Sequence, residues 1–164
     1  MFSLGILTIS TSGHQGRRED TSGQAIRELL ASPQYQVRQY EVIPDDRGTI
    51  ESHLVRWADD EDLELIVTTG GTGLGPQDVT PEACLAVTDR QVPGLAEAMR
   101  AQTMKFTSMA MLSRSVAAVR GHTLMVTLPG SEKAVRQCLE VVMPVLPHAL
   151  EILKDRAQGH PVDS

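Results

Sequence analysis

Residues Leu65 to Glu82 read LIVTTGGTGLGPQDVTPE, and the fold is argued outward from this stretch. The apolar run Leu65, Ile66 and Val67 is what a strand covered on both faces looks like. It stops at a loop of small residues, and the loop stops at a helix-start signal. Thr80 is a good N-cap, Pro81 suits the first helical position, and Glu82 is favoured in the first turn. A strand that feeds a glycine loop opening a helix is where α/β proteins hold phosphorylated ligands, because peptide N–H groups and the positive end of the helix dipole converge there. Gly70, Gly71 and Gly73 permit backbone angles and ligand approach that a side chain would obstruct.

The loop matches neither of the two best-known phosphate motifs. A Walker A loop needs a lysine before its helix, and none lies between Leu65 and Glu82. A dinucleotide fingerprint belongs on the first strand, whereas Gly71, Gly73 and Gly75 follow a middle one. In place of lysine stands an acid, Asp78, which points to an anion site assisted by a metal ion.

On either side, strands and helices alternate. Leu4–Ser10 and Gln36–Ile43 read as strands. Ile26, Leu29 and Leu30 share one helical face, and Ile50, Leu54, Trp57 and Ala58 share another. Leu95–Phe106 reads as a helix. Val116–Val119 and Thr123–Leu128 read as a hairpin about Arg120-Gly121, and Ser131 caps a helix carrying Val135, Leu139 and Val142. The last helix ends near Asp155. This order predicts an α/β domain over residues 1–155, a three-layer α/β/α fold with a mainly parallel sheet, and a loose polar tail over 156–164. Ligands in such sheets bind off the carboxyl ends of the strands.

Composition narrows the function. At 164 residues the chain is one domain, and 41% hydrophobic with 22% charged residues is ordinary for a soluble protein. A net charge of −6 and 3% aromatic residues argue against nucleic acid as a partner. No apolar run approaches the ~20 residues that cross a bilayer, so no membrane is expected. Cys84 and Cys138 fit a reducing cytoplasm and read as small buried hydrophobes. The five histidines are scattered, so transition-metal ligation is not expected, and no G-x-S-x-G elbow occurs. Met99, Met104, Met109 and Met111 read as core or interface filler, and Trp57 as core.

The predicted strand ends carry the candidate site residues. Asp45 follows Pro44 after the second strand and is held more rigidly than its neighbour Asp46. Asp20, Thr21, Ser22 and Gly23 form a helix start, and Pro129-Gly130-Ser131 repeats the strand–glycine–helix arrangement. Arg114, bracketed by Ser113 and Ser115, could grip a phosphate bidentately.

With these residues assembled, the chain resembles the molybdopterin adenylyltransferase family of small stand-alone Mog- and MoaB-type proteins, and is similar to the G domain of gephyrin. Five stretches carry the resemblance: Glu19–Gly23 with the opening strand; Ile43-Pro44-Asp45; TTGGTGLGPQDVTPEA from Thr68 to Ala83; MLSRS from Met111 to Ser115; and LPGSEKAV from Leu128 to Val135. It spans about Leu4 to Leu153. The resemblance implies the molybdopterin-binding-domain fold and a Mg²⁺-dependent transfer of AMP from ATP to the terminal phosphate of molybdopterin, with release of pyrophosphate. It also implies a homotrimer, with a hexamer second, and hand-over of product to a separate molybdenum-insertion protein. On this resemblance Asp45 and Asp78 are the catalytic and metal-holding acids. Ser10, Asp20, Ser22, Gly23, Thr69, Gly70, Gly71, Thr72, Gly73, Glu82, Ser113, Arg114, Pro129, Gly130 and Ser131 contact the substrates. Two positions depart from the family pattern: Thr11 stands where an aspartate is common, and Gln77 where an arginine is. Those departures keep a second reading open, a homologue that binds molybdopterin or nucleotide as a scaffold without turnover.

Overall fold

The computed structural model describes residues 1–31 and 33–157. Strand β1 (Phe2–Ile9) is buried from Leu4 onward, as a strand between two helical layers must be. The short helix α1 (Thr11–His14) and then α2 (Thr21–Leu29) follow. Strand β2 (Tyr35–Ile43) leads into α3 (Arg47–Asp59), and the wholly buried β3 (Leu65–Thr69) leads through the glycine loop into α4 (Thr80–Ala86). The short β4 (Arg90–Gln91) precedes α5 (Pro93–Thr103) and a 3-10 turn over Ser108–Leu112. Strands β5 (Ala117–Arg120) and β6 (Thr123–Leu128) then form the hairpin, closed by Gly121 at φ 59°. Helices α6 (Glu132–Val142) and α7 (Leu146–Ala157) complete the described chain.

The six strands form one sheet in the order β2-β1-β3-β6-β5-β4. β2, β1, β3 and β6 are mutually parallel, and β5 and β4 are added antiparallel at one edge. The result is the three-layer α/β/α fold. On one face Ile26, Leu30, Met99, Val135, Leu139, Leu146 and Leu150 pack helices α2, α5, α6 and α7 against Leu4, Ile6, Leu65 and Val67. On the other, Ile50, Leu54, Trp57 and Ala58 of α3, with Ala83 and Cys84 of α4, cover Leu7, Ile66 and Met125. The four residues predicted to share a face of α3 are the four it buries.

Several boundaries differ from the expectation for physical reasons. Thr80 is not a cap: α4 starts at Thr80 behind Val79, and the Thr80 hydroxyl donates to the Gly70 carbonyl at 2.9 Å. The glycine loop, not the helix, uses that side chain. Helix α5 starts at Pro93 and ends at Thr103, short of Phe106. Helix α1, β4 and the 3-10 turn bury no residue, so no apolar period marks them in the sequence. Helix α7 runs to Ala157. The tail expected over 156–164 lies, for 158–164, outside the described residues.

Gly5 shows how tightly the α3 face is packed. A methyl group there would sit 2.8 Å from both Leu63 Cδ1 and Trp57 Cε3, where the β1–β2 register also shifts. We expect Gly5→Ala to cost about 1–3 kcal/mol through overpacking, read as a lower urea midpoint at unchanged slope. A wild-type midpoint would mean that Trp57 does not lie against this strand.

Candidate active site

Strands β2, β1, β3 and β6 end on the same edge of the sheet, and their following loops are stitched to one another. Beside β2, the backbone N–H of Ser10 donates to the Ile43 carbonyl at 2.8 Å. The N–H and hydroxyl of Thr11 donate to Asp45 Oδ2 at 3.1 and 3.0 Å, and the Thr11 hydroxyl accepts the Asp45 N–H at 3.1 Å. Thr11, the departure from the family pattern, thus orients the aspartate. The Ser10 hydroxyl caps α1 by accepting from Gly13 N–H at 3.1 Å.

Asp20 caps α2 through Oδ1, which accepts the Gly23 N–H at 2.9 Å. Its Oδ2 accepts from the Thr8 hydroxyl at 2.8 Å and from the Tyr40 hydroxyl. Burial, and then the Asp20 carboxylate, hold the Tyr40 phenol protonated well above its ordinary range. Ser22 donates to the Gly130 carbonyl at 2.6 Å, Thr69 to the Pro129 carbonyl at 2.6 Å, and Ser131 caps α6 by accepting from Ala134 N–H at 3.2 Å. Three predicted polar residues therefore hold strand ends and helix starts together.

Gly70 and Gly71 carry φ of 100° and 70°, the left-handed region that favours glycine. A side chain at Gly70 would run into the Ile9 carbonyl oxygen, and one at Gly71 into the Thr80 hydroxyl. Further on, the loop folds around its own aspartate: Asp78 Oδ2 accepts the Gly75 N–H at 3.0 Å, and a Cβ on Gly73 or Gly75 would lie 2.9 Å from that oxygen. Among the described residues neither Asp45 Oδ1 nor Asp78 Oδ1 receives a protein hydrogen bond. Each carboxylate is anchored by one oxygen and leaves the other available.

Two clefts meet over these loops. The first, about 660 Å³, is polar; it is lined by Ser10, Asp20, Ser22, Asp45, Thr69, Gly70, Gly71, Asp78, Gly130 and Ser131 of the predicted set. The second, about 610 Å³, takes Thr72, Gly73, Ser113 and Pro129, and shares Gly71, Asp78, Gly130 and Ser131 with the first. Gly23, Glu82 and Arg114 line neither. Gly23 packs beneath the Asp20 cap, while Arg114 Nη1 donates to both oxygens of Glu82 in an ion pair at 2.9 and 2.8 Å. The guanidinium holds the Glu82 carboxyl below the usual carboxylate range. The pair is therefore intact at neutral pH, and its contribution is lost only as pH falls through that lowered value.

Sequence reasoning missed other lining residues. Ser12, Arg17, Arg18 and Gln77 border the polar cleft; the adjacent arginines were visible as cations after the first strand, but nothing in a single chain says which loop cation faces a cleft. Met99, Thr103 and Cys138 border the second cleft on faces of α5 and α6 that read as core. Cys138 and Cys84 are both free and buried, and burial pushes their thiols up to about 11 and about 12, which makes both poor nucleophiles. Among the described residues no group of three or more His, Cys, Asp or Glu side chains could hold a metal ion.

Comparison with known proteins agrees with this fold. A family model described as "Probable molybdopterin binding domain" matches residues 5–148. The molybdopterin adenylyltransferase of Helicobacter pylori J99 is 38% identical over 154 residues, covering 92% of this chain and 86% of the relative. The molybdenum cofactor synthesis protein cinnamon of Drosophila melanogaster is 38% identical over 154 residues, 93% of this chain, which spans only 26% of that longer protein. The crystal structure of the molybdopterin biosynthesis enzyme MoaB from Thermus thermophilus superposes with a TM-score of 0.89 at 54% identity, covering 93% of this chain and 96% of that one. Since the match runs from the first strand into the last helix and takes in every loop of the two clefts, the chain belongs to the molybdopterin-binding family of molybdenum cofactor biosynthesis.

Proposed function

We propose that the protein is a molybdopterin adenylyltransferase. In this reading an oxygen of the terminal phosphate of molybdopterin attacks the α-phosphorus of ATP, the bond from that phosphorus to the bridging oxygen breaks, and pyrophosphate leaves. The observation that carries the reading is the junction of the two clefts at Gly71, Asp78, Gly130 and Ser131. Joining two anions needs two sites that share a floor, with donors and carboxylates at the junction. The names of the relatives support the same chemistry.

The chain supplies backbone donors, orientation and two carboxylates. A helix terminus contributes about 0.3–1 kcal/mol when exposed and up to ~2 when partly buried, against the roughly 8 kcal/mol or more that enzymatic acceleration requires. The loops therefore position, and a divalent cation, if bound, would supply the larger share of charge neutralisation. The donor set fits Mg²⁺, which takes one or two carboxylates together with substrate phosphate oxygens. Asp45 Oδ1 and Asp78 Oδ1, each free of protein donors among the described residues, are the atoms that would hold it. Arg17 and Arg18 at the rim of the polar cleft are cations for the phosphates of the nucleotide. The competing reading, a homologue that binds without turnover, draws on Gln77, which lines that cleft without a charge; adenylylated product from purified protein, molybdopterin, ATP and Mg²⁺ decides between them.

A homotrimer, with stacked trimers second, is part of this reading. Its physical support is a run of exposed apolar residues: Met104 (45% exposed), Phe106 (54%), Met109 (62%), Met111 (61%) and Leu112 (48%). A closed symmetric assembly would bury such side chains. The product would pass to a separate molybdenum-insertion protein. No described helix is long and apolar enough to cross a membrane, and two free buried thiols suit a reducing cytoplasm.

Asp78→Asn keeps an oxygen to accept the Gly75 N–H, so the thermal midpoint should stay near wild type while turnover falls at least about tenfold. Full turnover of that variant at saturating Mg²⁺ would remove Asp78 from the chemistry. Asp45→Asn should show its loss mainly as a raised requirement for Mg²⁺ or ATP, measured by titrating each. Gly71→Val, with a β-branched side chain at positive φ, should sharply weaken molybdopterin binding; an unchanged affinity in a folded variant would move the phosphate site elsewhere. Sedimentation equilibrium should give about three times 17.8 kDa at micromolar protein. A monomer at the highest soluble concentration would refute the assembly and leave the site untouched.

A further inference from the structure

The segment of the glycine loop that carries Asp78 is held by almost nothing of its own. Leu74, Gly75, Pro76 and Gln77 are exposed, so no apolar burial fixes them. The internal bonds are Asp78 N–H to the Gly75 carbonyl and Gly75 N–H to Asp78 Oδ2, both 3.0 Å. Among the described residues, a single side chain grips the segment from outside. Arg114 Nε donates to the Gly73 carbonyl at 2.8 Å, and Nη2 donates to the Asp78 carbonyl at 2.7 Å. The guanidinium thus spans both ends of the exposed turn. Nη1 is turned to both oxygens of Glu82 on α4, and the Arg114 backbone N–H donates to the Thr72 carbonyl at 2.9 Å. All three guanidinium nitrogens thereby donate to protein acceptors.

The brace has its own anchor. Arg100 of α5 donates from Nη1 to the carbonyls of Ser113 and Ser115, at 3.3 and 2.8 Å. The residues on either side of Arg114 are tied to a helix packed in the core. A connected path of hydrogen bonds therefore runs from α5 through Ser113 and Ser115 to Arg114, and from Arg114 to the Gly73 and Asp78 carbonyls.

We infer that Arg114 is not a phosphate ligand but a positioning residue that, backed by Glu82 and Arg100, sets the shape of the Gly73–Asp78 turn and so aims the Asp78 carboxylate into the junction of the two clefts. The catalytic consequence rests on the adenylyl-transfer reading; the mechanical role does not. Lysine cannot replace this arginine, because one ammonium cannot span two carbonyls and a carboxylate in a planar fork.

The test uses the full chain as wild type, Arg114→Lys, Arg114→Gln and Glu82→Gln, with Asp78→Asn as a control, and follows hydrogen exchange at the turn amides of Gly75 and Asp78, titration of inorganic pyrophosphate with Mg²⁺, and steady-state turnover. In all three variants the turn amides should exchange at least about tenfold faster, with those of β3 and β6 unchanged. Turnover should fall by about tenfold or more, with the KM for ATP changing by less than about threefold. Glu82→Gln separates the two roles by sign. A phosphate-gripping Arg114 is released by loss of its carboxylate, and pyrophosphate would bind at least about threefold tighter with loop exchange unchanged; that result overturns the inference. Wild-type exchange of the turn in Arg114→Gln also overturns it, and a lowered turnover of Asp78→Asn in the same experiments leaves the adenylyl-transfer reading standing. Conversely, faster turn exchange in a protein that makes no adenylylated product sinks that reading and supports the brace.

Discussion

The site depends on one backbone constraint: at the end of β3 the chain must turn through two consecutive left-handed residues in a space that admits no side chain. Gly70 lies against the Ile9 carbonyl at the end of β1, and Gly71 against the Thr80 hydroxyl at the start of α4. Gly70 N–H also donates to the Leu128 carbonyl at the end of β6 at 3.1 Å, and a Cβ on Gly130 would lie 3.5 Å from Gly70 Cα. Three strand ends are thus brought within backbone contact of one dipeptide. The hydroxyls of Thr69, Ser22 and Thr80 then close the remaining carbonyls. They act as structural ties, and what faces the clefts at the junction is largely backbone.

A second constraint follows from charge. The protein carries −6 overall, and the polar cleft is bordered by Glu19, Asp20, Asp45 and Asp78 against only Arg17 and Arg18. Polyanionic ligands enter such a cleft only if the acids are neutralised or engaged. Asp20 is engaged by two hydroxyls and a helix N-terminus. Asp45 and Asp78 are each half engaged. That asymmetry separates an acid serving as a cap from two acids with an oxygen to spare, though all three border the same cleft.

What was legible in the sequence is what depends on local pattern. The strand–glycine–helix junction, the buried face of α3 and the Ser131 cap all follow from residues within a turn or two of one another. The contacts that local pattern does not show share a different cause. Thr11 meets Asp45 only because β1 and β2 are neighbours in the sheet. Arg114 meets Gly73, Asp78 and Glu82 because the chain returns from α5 past the end of β3. Read alone, an arginine between two serines looks like an anion grip; the chain path brings it beside the glycine loop, where Nε and Nη2 donate to carbonyls and Nη1 to Glu82. Of the four methionines read as core or interface, Met99 is buried in this chain and Met104, Met109 and Met111 are exposed.

Because the shared floor of the clefts is so largely backbone, discrimination between ligands falls to the rims. The polar rim presents Arg17, Arg18 and Gln77; the other presents Leu74, Met109 and Leu112. These rim side chains are exposed, so their replacement costs little stability. The floor residues have no such freedom, since Gly70 and Gly71 are locked by backbone angle and Asp78 sits in a turn gripped by Arg114. The rims can therefore change while the junction stays as it is. The brace built from Arg114 and Glu82 lies outside both clefts, so it can hold the junction in place without limiting what the rims select.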